Sequence, residues 1–488
     1  MVTSGRLPKE LALLRAKVAS SILHVLRIEG SSMIKITKFG GSSVSSAGQF
    51  KKVKAIVQAD PSRRFVVVSA AGKRDKFDSK ITDLLYLVNA HLQYHVTCDD
   101  LLGTIGQRFC EIAKELNLSY PISQEFGIFR ELAKRGEYTP EYIVSRGEYF
   151  TGRMMAEYLG FPFVDAADVI TFRPDSSIDM DKTAEKLKAA IGEEKCFVLP
   201  GFYGATEDGK IKLLDRGGGD ITGAIVAQCL GADLYENWTD VSGFLTADPR
   251  IVDNPKSISR ITYAELRELS YMGASVLHEE AIFPVKDAGI PLVIKNTNAP
   301  DDPGTVISEE TEPGMAEPLI TGIAGKKDFI AIHVKTNHMS SKVGYIRKTL
   351  SIFERYRVSI EHIPTGIDSF AVVVQGGDVK DCLYSIVADI KSELEPDEIK
   401  IVDRLALIST VGRNMPSRPG TSGRLFGELG HAGINIRMIA QGSEELDIVV
   451  GVDVDDFERA IRVIYGAFVD SDDNIITVEE AEEEATNE

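Results

Sequence analysis

Cysteine is sparse in this chain and widely spaced. Cys98, Cys110, Cys196, Cys229 and Cys382 form no C-x-x-C pair. That excludes a sequence-evident zinc site or disulfide frame and points to reduced thiols in a cytosolic protein. Histidine is scarce too. His91 and His95 have the i,i+4 spacing of a helical metal pair, but no third ligand is evident, so both are expected on the surface and no protein-held metal is expected. No apolar run approaches the ~20 residues of a membrane span. Positive charge is in deficit, with 55 Lys and Arg against 73 Asp and Glu and a net charge of -18, which argues against a nucleic-acid partner. Part of that charge is terminal: six glutamates lie between Glu479 and Glu488, a composition that does not pack. The Walker pattern G-x-x-x-x-G-K-[ST] is also missing.

What is present is a soluble-protein composition, 43% hydrophobic and 26% charged over 488 residues, enough for about three or four domains. Lys38 to Ser43 read KFGGSS, between an apolar strand (34–39) and a helix beginning near Ser46. Two adjacent glycines let backbone amides approach an anion, the helix start adds partial positive charge, and Lys38 adds a full one. Up to Asn298, strand candidates at 65–70, 161–165, 196–201, 234–238 and 292–295 alternate with helix candidates at 81–92, 149–159, 183–191 and 219–230. This alternation predicts an α/β fold with a mostly parallel sheet sandwiched by helices, and ligands at the strands' carboxyl ends. Pro300, Pro303, Pro313 and Pro318 mark a linker.

Beyond it the chain repeats itself. Gly344 matches Gly420, Ile360 matches Ile436, Ile363 matches Ile439 and Gly366 matches Gly442, each pair 76 positions apart. Each copy reads strand, Gly-led helix, strand, turn, strand, helix, with VSIEHI (358–363) and INIRMI (434–439) as middle strands. Two ferredoxin-like βαββαβ modules are predicted. The expected division is an extension at 1–32 dispensable for folding, with Met33 as the natural start; a catalytic domain at 33–298; a linker at 299–318; modules at 319–403 and 404–475; and an acidic tail at 476–488.

Three further motifs carry polar residues. SRGEYFTGRMMAEYL (145–159) places Glu148 where a helix is expected to open, DRGGGDITGA (215–224) places Arg216 and Asp220 around three glycines, and NWTDVSGFLTADPR (237–250) follows a strand. With KFGGSS and MGASVLHEEAIFP (272–284), they resemble the aspartate kinases of the amino-acid kinase superfamily, and the repeats resemble ACT regulatory domains. The resemblance implies MgATP-dependent phosphorylation of the aspartate side chain to 4-phospho-aspartate, the entry to lysine, threonine and methionine synthesis. It places Lys38, Gly40, Gly41 and Ser42 on ATP phosphates, Thr239, Asp240 and Arg250 on the nucleotide, and Thr82, Glu148 and Arg216 on aspartate. Lys38 and Asp220 are its catalytic pair, with Asp220 orienting the lysine and the magnesium.

The residue chemistry points the same way. A carboxylate acceptor with a pKa near 3.9 is already ionised, so no general base is required. The task is charge neutralisation and alignment. Glu148 suits an α-ammonium and Arg216 an α-carboxylate. The family commonly has serine at Gly219, lysine at Ser275 and tyrosine at Leu245; Lys295 is a candidate for the missing charge. Two rivals stay open: a kinase of glutamate or N-acetylglutamate, and a catalytically weak amino-acid sensor. Glu148 disfavours an N-acetylated acceptor, which has no ammonium, and Lys38 with Asp220 disfavours the sensor. The resemblance further implies a homodimer or larger assembly through the ACT modules. It also implies an end-product effector, lysine first, held by Met339, Lys342, Val343, Gly344, Tyr345, Ile346, Ser359, Ile360, Glu361 and Thr365.

Overall fold

A computed structural model describes residues 33–192, 195–215, 217–274, 277, 283–309, 317–470 and 475–476. The extension at 1–32, the tail beyond 476, Arg216 and Ser275 lie outside the described residues.

Seven strands form the catalytic sheet: β1 (Lys35–Phe39), β2 (Phe65–Val68), β3 (Phe197–Pro200), β4 (Leu234–Thr239), β5 (Arg260–Thr262), β6 (Leu292–Asn296) and β7 (Thr305–Ser308). Their order is β5-β7-β6-β4-β1-β2-β3. Every pairing is parallel except β6 with β7. Val66 and Val68 enter one core and Phe65 and Val67 the other. Apolar layers on both faces explain why β2 reads as an unbroken FVVV run. Strand order reverses between β1 and β4, and open sheets hold ligands at such a switch point.

The helices that frame this point are α1 (Ala47–Gln58), α2 (Ile81–Gln93), α3 (Pro140–Leu159), α4 (Gly218–Leu230) and α5 (Tyr263–Tyr271). Ser46 caps α1, accepting the Gln49 amide at 3.4 Å. The expected helix at 149–159 starts nine residues earlier, at Pro140, behind the Thr139 cap. Pro at a first helical position is pre-set for the turn, and that signal outranks the polar SRGE run. The expected strand at 161–165 is reduced to one bridge, Phe163 with Val198. Two amphipathic helices that the alternation did not reveal, Asp99–Glu115 and Ile122–Lys134, join α3 in an aromatic cluster of Phe109, Phe126, Phe129 and Phe150. β7 lies inside the stretch read as a linker: its alternating Val306 and Ile307 pair with both β5 and β6.

The repeats share one antiparallel sheet of β8 (Gly322–Lys335), β9 (Ser369–Gln375), β10 (Glu398–Val411), β11 (Met438–Gln441) and β12 (Asp447–Asp453), in the order β9-β8-β10-β12-β11. β8 and β10 pair along almost their full lengths, with a register shift between Lys326 and Phe329. Each thus serves both repeats, and the expected boundary at 403/404 falls within β10. The helices α6 (Tyr345–Arg355) and α7 (Thr421–His431) begin behind Gly344 and Gly420, at φ 78 and 95. A left-handed glycine at matching places is the structural counterpart of the repeat. VSIEHI is not a continuous strand; it touches the sheet through the bridge His362 to Val373. In the second copy the strand begins only at Met438.

His91 Nδ1 donates to the Thr97 carbonyl, 2.8 Å away, and His95 lies past the end of α2 with φ 55. None of the five cysteines is in a disulfide. No helix among the described residues is long and apolar enough to cross a membrane.

Candidate active site

Lys38 stands near the carboxyl end of β1, only 6% exposed. Its Nζ forms an ion pair with Asp220 Oδ1, in the first turn of α4, and lies 3.4 Å from Asn237 Oδ1 on β4. Asn237 Nδ2 donates to Asp220 Oδ1 at 2.9 Å. These groups open into a cleft of about 1260 Å³ along the switch point, large enough for two small substrates.

The glycine turn forms one wall. Gly40, Gly41 and Ser42 line the cleft. Gly41 is required by close approach: a Cβ there would stand 2.9 Å from the Ala70 carbonyl oxygen. Gly72 N–H donates to Gly41 O at 2.8 Å, so the two loops meet backbone to backbone. Gly219 has a similar neighbour. Its Cβ would come within 2.7 Å of Ser69 Oγ and 3.4 Å of Lys38 Cε. The Ser69 hydroxyl therefore occupies the space that a residue-219 side chain would enter, and Ser69 itself lines the cleft.

Glu148 supplies another wall, from the middle of α3 rather than its start. The expected help from a helix N-terminus is absent, and the residue is 4% exposed. Thr82 Oγ1, from the first turn of α2, reaches Glu148 Oε1 at 3.5 Å. Oε2 is buried without a partner. Burial pushes the Glu148 carboxyl up to about 8, opposed only in part by the Ala70 amide, Thr82 and Arg146. A buried acceptor with no donor is costly unless a ligand provides one.

Of the expected nucleotide residues, Thr239 and Asp240 line the cleft. Arg250 does not: it is paired with Asp248, and its side chain is 87% exposed. Lys295 is also drawn elsewhere, its Nζ donating to the Asp302 carbonyl at 2.7 Å and lying over the Trp238 ring. It is not among the cleft residues. Asn237 and Ser69 were not singled out from the sequence. A polar pair, Glu236 and Asn237, inside a strand-like run just before Trp238, Thr239 and Asp240 was the available signal.

The expected effector residues are spread from the first repeat's core to its surface. Met339 and Tyr345 are 7% exposed and pack in the first repeat's core, Tyr345 against Phe370. Lys342 donates to Thr336 Oγ1 at 2.8 Å, and Val343 is almost fully exposed. Ile346 and Ile360 pack at the edge of that core. Ser359 is exposed, and Thr365 bridges Phe370. Glu361 reaches across to the catalytic half, where Tyr271 Oη donates to its Oε2 at 2.6 Å.

The amino acid kinase family model matches residues 33–296, and an ACT domain model matches residues 408–468. Aspartokinase 3 of Bacillus subtilis is 34% identical over 449 residues, covering 89% of this chain and 98% of that protein. The aspartate kinase of Clostridium acetobutylicum is 47% identical, with a TM-score of 0.83 over 90% of this chain and 100% of its own. Escherichia coli aspartokinase III is 25% identical in both of two states. With aspartate and ADP (R-state) its TM-score is 0.69, over 89% of this chain and 99% of its own. With lysine and aspartate (T-state) the TM-score is 0.71, over 90% and 100%. The chain belongs to the aspartokinases of the amino acid kinase family.

Proposed function

We propose that the cleft transfers the γ-phosphate of ATP to the side-chain carboxylate of L-aspartate, giving 4-phospho-L-aspartate, the first step toward lysine, threonine and methionine. The observation that carries the reading is the presence in one cleft of a buried Glu148 carboxyl, whose Oε2 has no partner, and the Lys38–Asp220 pair. Glu148 takes the α-ammonium, with Thr82 beside it, and Arg216 takes the α-carboxylate. This leaves the side-chain carboxylate to meet the phosphate held by Lys38 and by the Gly40, Gly41 and Ser42 amides. Thr239 and Asp240 contact the nucleotide. The acceptor is ionised at neutral pH, so the residues bind, align and neutralise, and none needs to remove a proton.

Magnesium fits the donors present. Among the described residues no group of three or more metal-binding side chains occurs, and this ion is usually held by one or two carboxylates plus substrate phosphates. Asp220 and Asp240 line the cleft and would hold it, with Lys38 and Asn237 both engaging only Asp220 Oδ1. When bound, the ion neutralises phosphate charge.

Control is assigned to the ACT pair, with lysine as the effector and Glu361 as the ammonium partner. The lysine-bound state of the E. coli relative supports this. A homodimer or larger assembly through the ACT sheets, and a cytosolic location consistent with five cysteines outside any disulfide, complete the reading.

The test is ADP release with aspartate, glutamate, N-acetylglutamate or no acceptor. Aspartate alone is expected to stimulate. Equal stimulation by N-acetylglutamate would remove Glu148 from ammonium recognition, and no stimulation by any acceptor would leave a sensor.

A further inference from the structure

Asn237 stands directly opposite Lys38 in the parallel register of β1 and β4, so its amide and the lysine are carried by neighbouring backbones. It is 3% exposed. One side of the amide accepts from Lys38 Nζ and the other donates to Asp220 Oδ1. The orientation of the amide follows from chemistry. Lysine only donates and an ionised carboxylate only accepts, so Oδ1 must face Lys38 and Nδ2 must face Asp220. Lys38, Asp220 and Asn237 therefore form a closed triangle around the reacting end of the cleft.

We infer that Asn237 is a positioning residue for phosphoryl transfer, acting by holding the Lys38 ammonium and the Asp220 carboxylate at a set separation. The inference rests on the roles proposed above for those two residues. An ammonium has three N–H donors. Asp220 takes one and Asn237 a second, which leaves the third for the transferring phosphate. The Asn237 N–H also shares Asp220 Oδ1 with Lys38. Without it, that oxygen has only the ammonium, and the pair closes on itself. Lys38 would then be less available to a phosphate and freer to swing with Asp220. Neither consequence alters the Glu148 end of the cleft, the Thr239–Asp240 wall or the Gly40–Ser42 amides, so aspartate binding is left intact and ATP keeps most of its ground-state contacts.

The experiment compares the full-length wild type with Asn237→Leu and Asn237→Ser. The first keeps most of the volume and removes both bonds. The second removes them without apolar bulk and keeps the test readable if the leucine does not fold. Lys38→Ala is measured alongside, and thermal melting identifies which variants are folded. The expected result is a fall in kcat of about 10- to 100-fold, the scale of a small misplacement of a reacting group. KM for aspartate and for ATP should stay within about threefold. A purely structural amide would lower the melting temperature and leave the kcat of the folded fraction near wild type, which overturns the inference. A raised KM with unchanged kcat also overturns it, because Asn237 would then belong to binding. The two readings fail separately. Full activity in Lys38→Ala removes the site assignment itself, whereas an inactive Lys38→Ala with fully active Asn237 variants removes only the role of Asn237.

Discussion

A glutamate in water loses its proton near pH 4.5, but Glu148, desolvated in the middle of α3, keeps it to about pH 8. With the ammonium contact proposed for Glu148, aspartate must displace a proton as it binds below that pH. Aspartate KM is therefore expected to fall as pH rises toward 8, by at most about tenfold per unit. Glu148→Gln should flatten that profile and raise the aspartate KM, because a hydrogen bond to a charged group contributes about 1.5–3 kcal/mol, while the ATP KM stays put. Steady-state kinetics against pH check both, and an ATP KM that moved instead would put Glu148 in the nucleotide site. Stability of the empty enzyme has the opposite slope. The folded pKa is raised, so this contribution is fully present below the unfolded value and is lost as pH rises through the folded one. Glu148→Gln should thus raise the melting temperature more near pH 8 than near pH 5. Lys38→Ala should lower kcat roughly 10²–10³-fold, the usual loss for one electrostatic contact to a developing charge, and should also lower the melting temperature, because Asp220 loses the partner of a buried ion pair.

Among the elements, the β1 turn and the loop after β2 work as one unit because two glycines touch. Gly41→Ala would put a methyl 2.9 Å from the Ala70 carbonyl oxygen, and backbone cannot rotate aside as a side chain can. A cost of roughly 1–3 kcal/mol is expected, as for other overpacked positions, read as a lower denaturation midpoint. An unchanged midpoint would mean that the contact at Gly72 is loose. The glycine turn was legible as a phosphate site from its composition. That Gly41 is needed for this backbone contact was not, because its partner lies about thirty residues away in sequence. Glu148 shows the same limit: the SRGE run suggested a helix start, and the Thr139-Pro140 cap upstream decided otherwise.

Across the whole molecule, α5 joins the catalytic sheet to the ACT sheet. Glu265, fully buried, completes a capping box with Thr262 and pairs with Arg413 at 2.6 Å. Thr321 also donates to it. Removing one partner of a buried pair typically costs about 3–5 kcal/mol. Arg413→Ala is thus expected to weaken the union of the halves, seen as a lowered or split melting transition; an unchanged melt would count against that strength. At the other end of α5, Tyr271 holds Glu361. If Glu361 takes the effector's ammonium, the tyrosine competes for it. Tyr271→Phe should then let lysine inhibit at about 3- to 10-fold lower concentration, the equivalent of one modest hydrogen bond. Unchanged or weaker lysine sensitivity would separate this contact from control.

The sequence by itself determined the alternating α/β plan, the glycine turns and the internal repeat, and it marked out Lys38, Asp220 and Glu148, which the structure brings to one cleft. Each of these is written in local periodicity or in short runs of residues whose chemistry is intrinsic. The tertiary structure decided what depends on distant partners. Asn237 became part of the site because β4 pairs with β1 in one register. Ser69 came to fill the space beside Gly219, and Arg250 was drawn to Asp248 rather than to the cleft. The VSIEHI segment, with an apolar pattern fit for a strand, gave up most of its pairing and left Glu361 against Tyr271. Strand pairing and desolvation are properties of the packed whole, and they set which polar groups meet and which carboxyl keeps its proton.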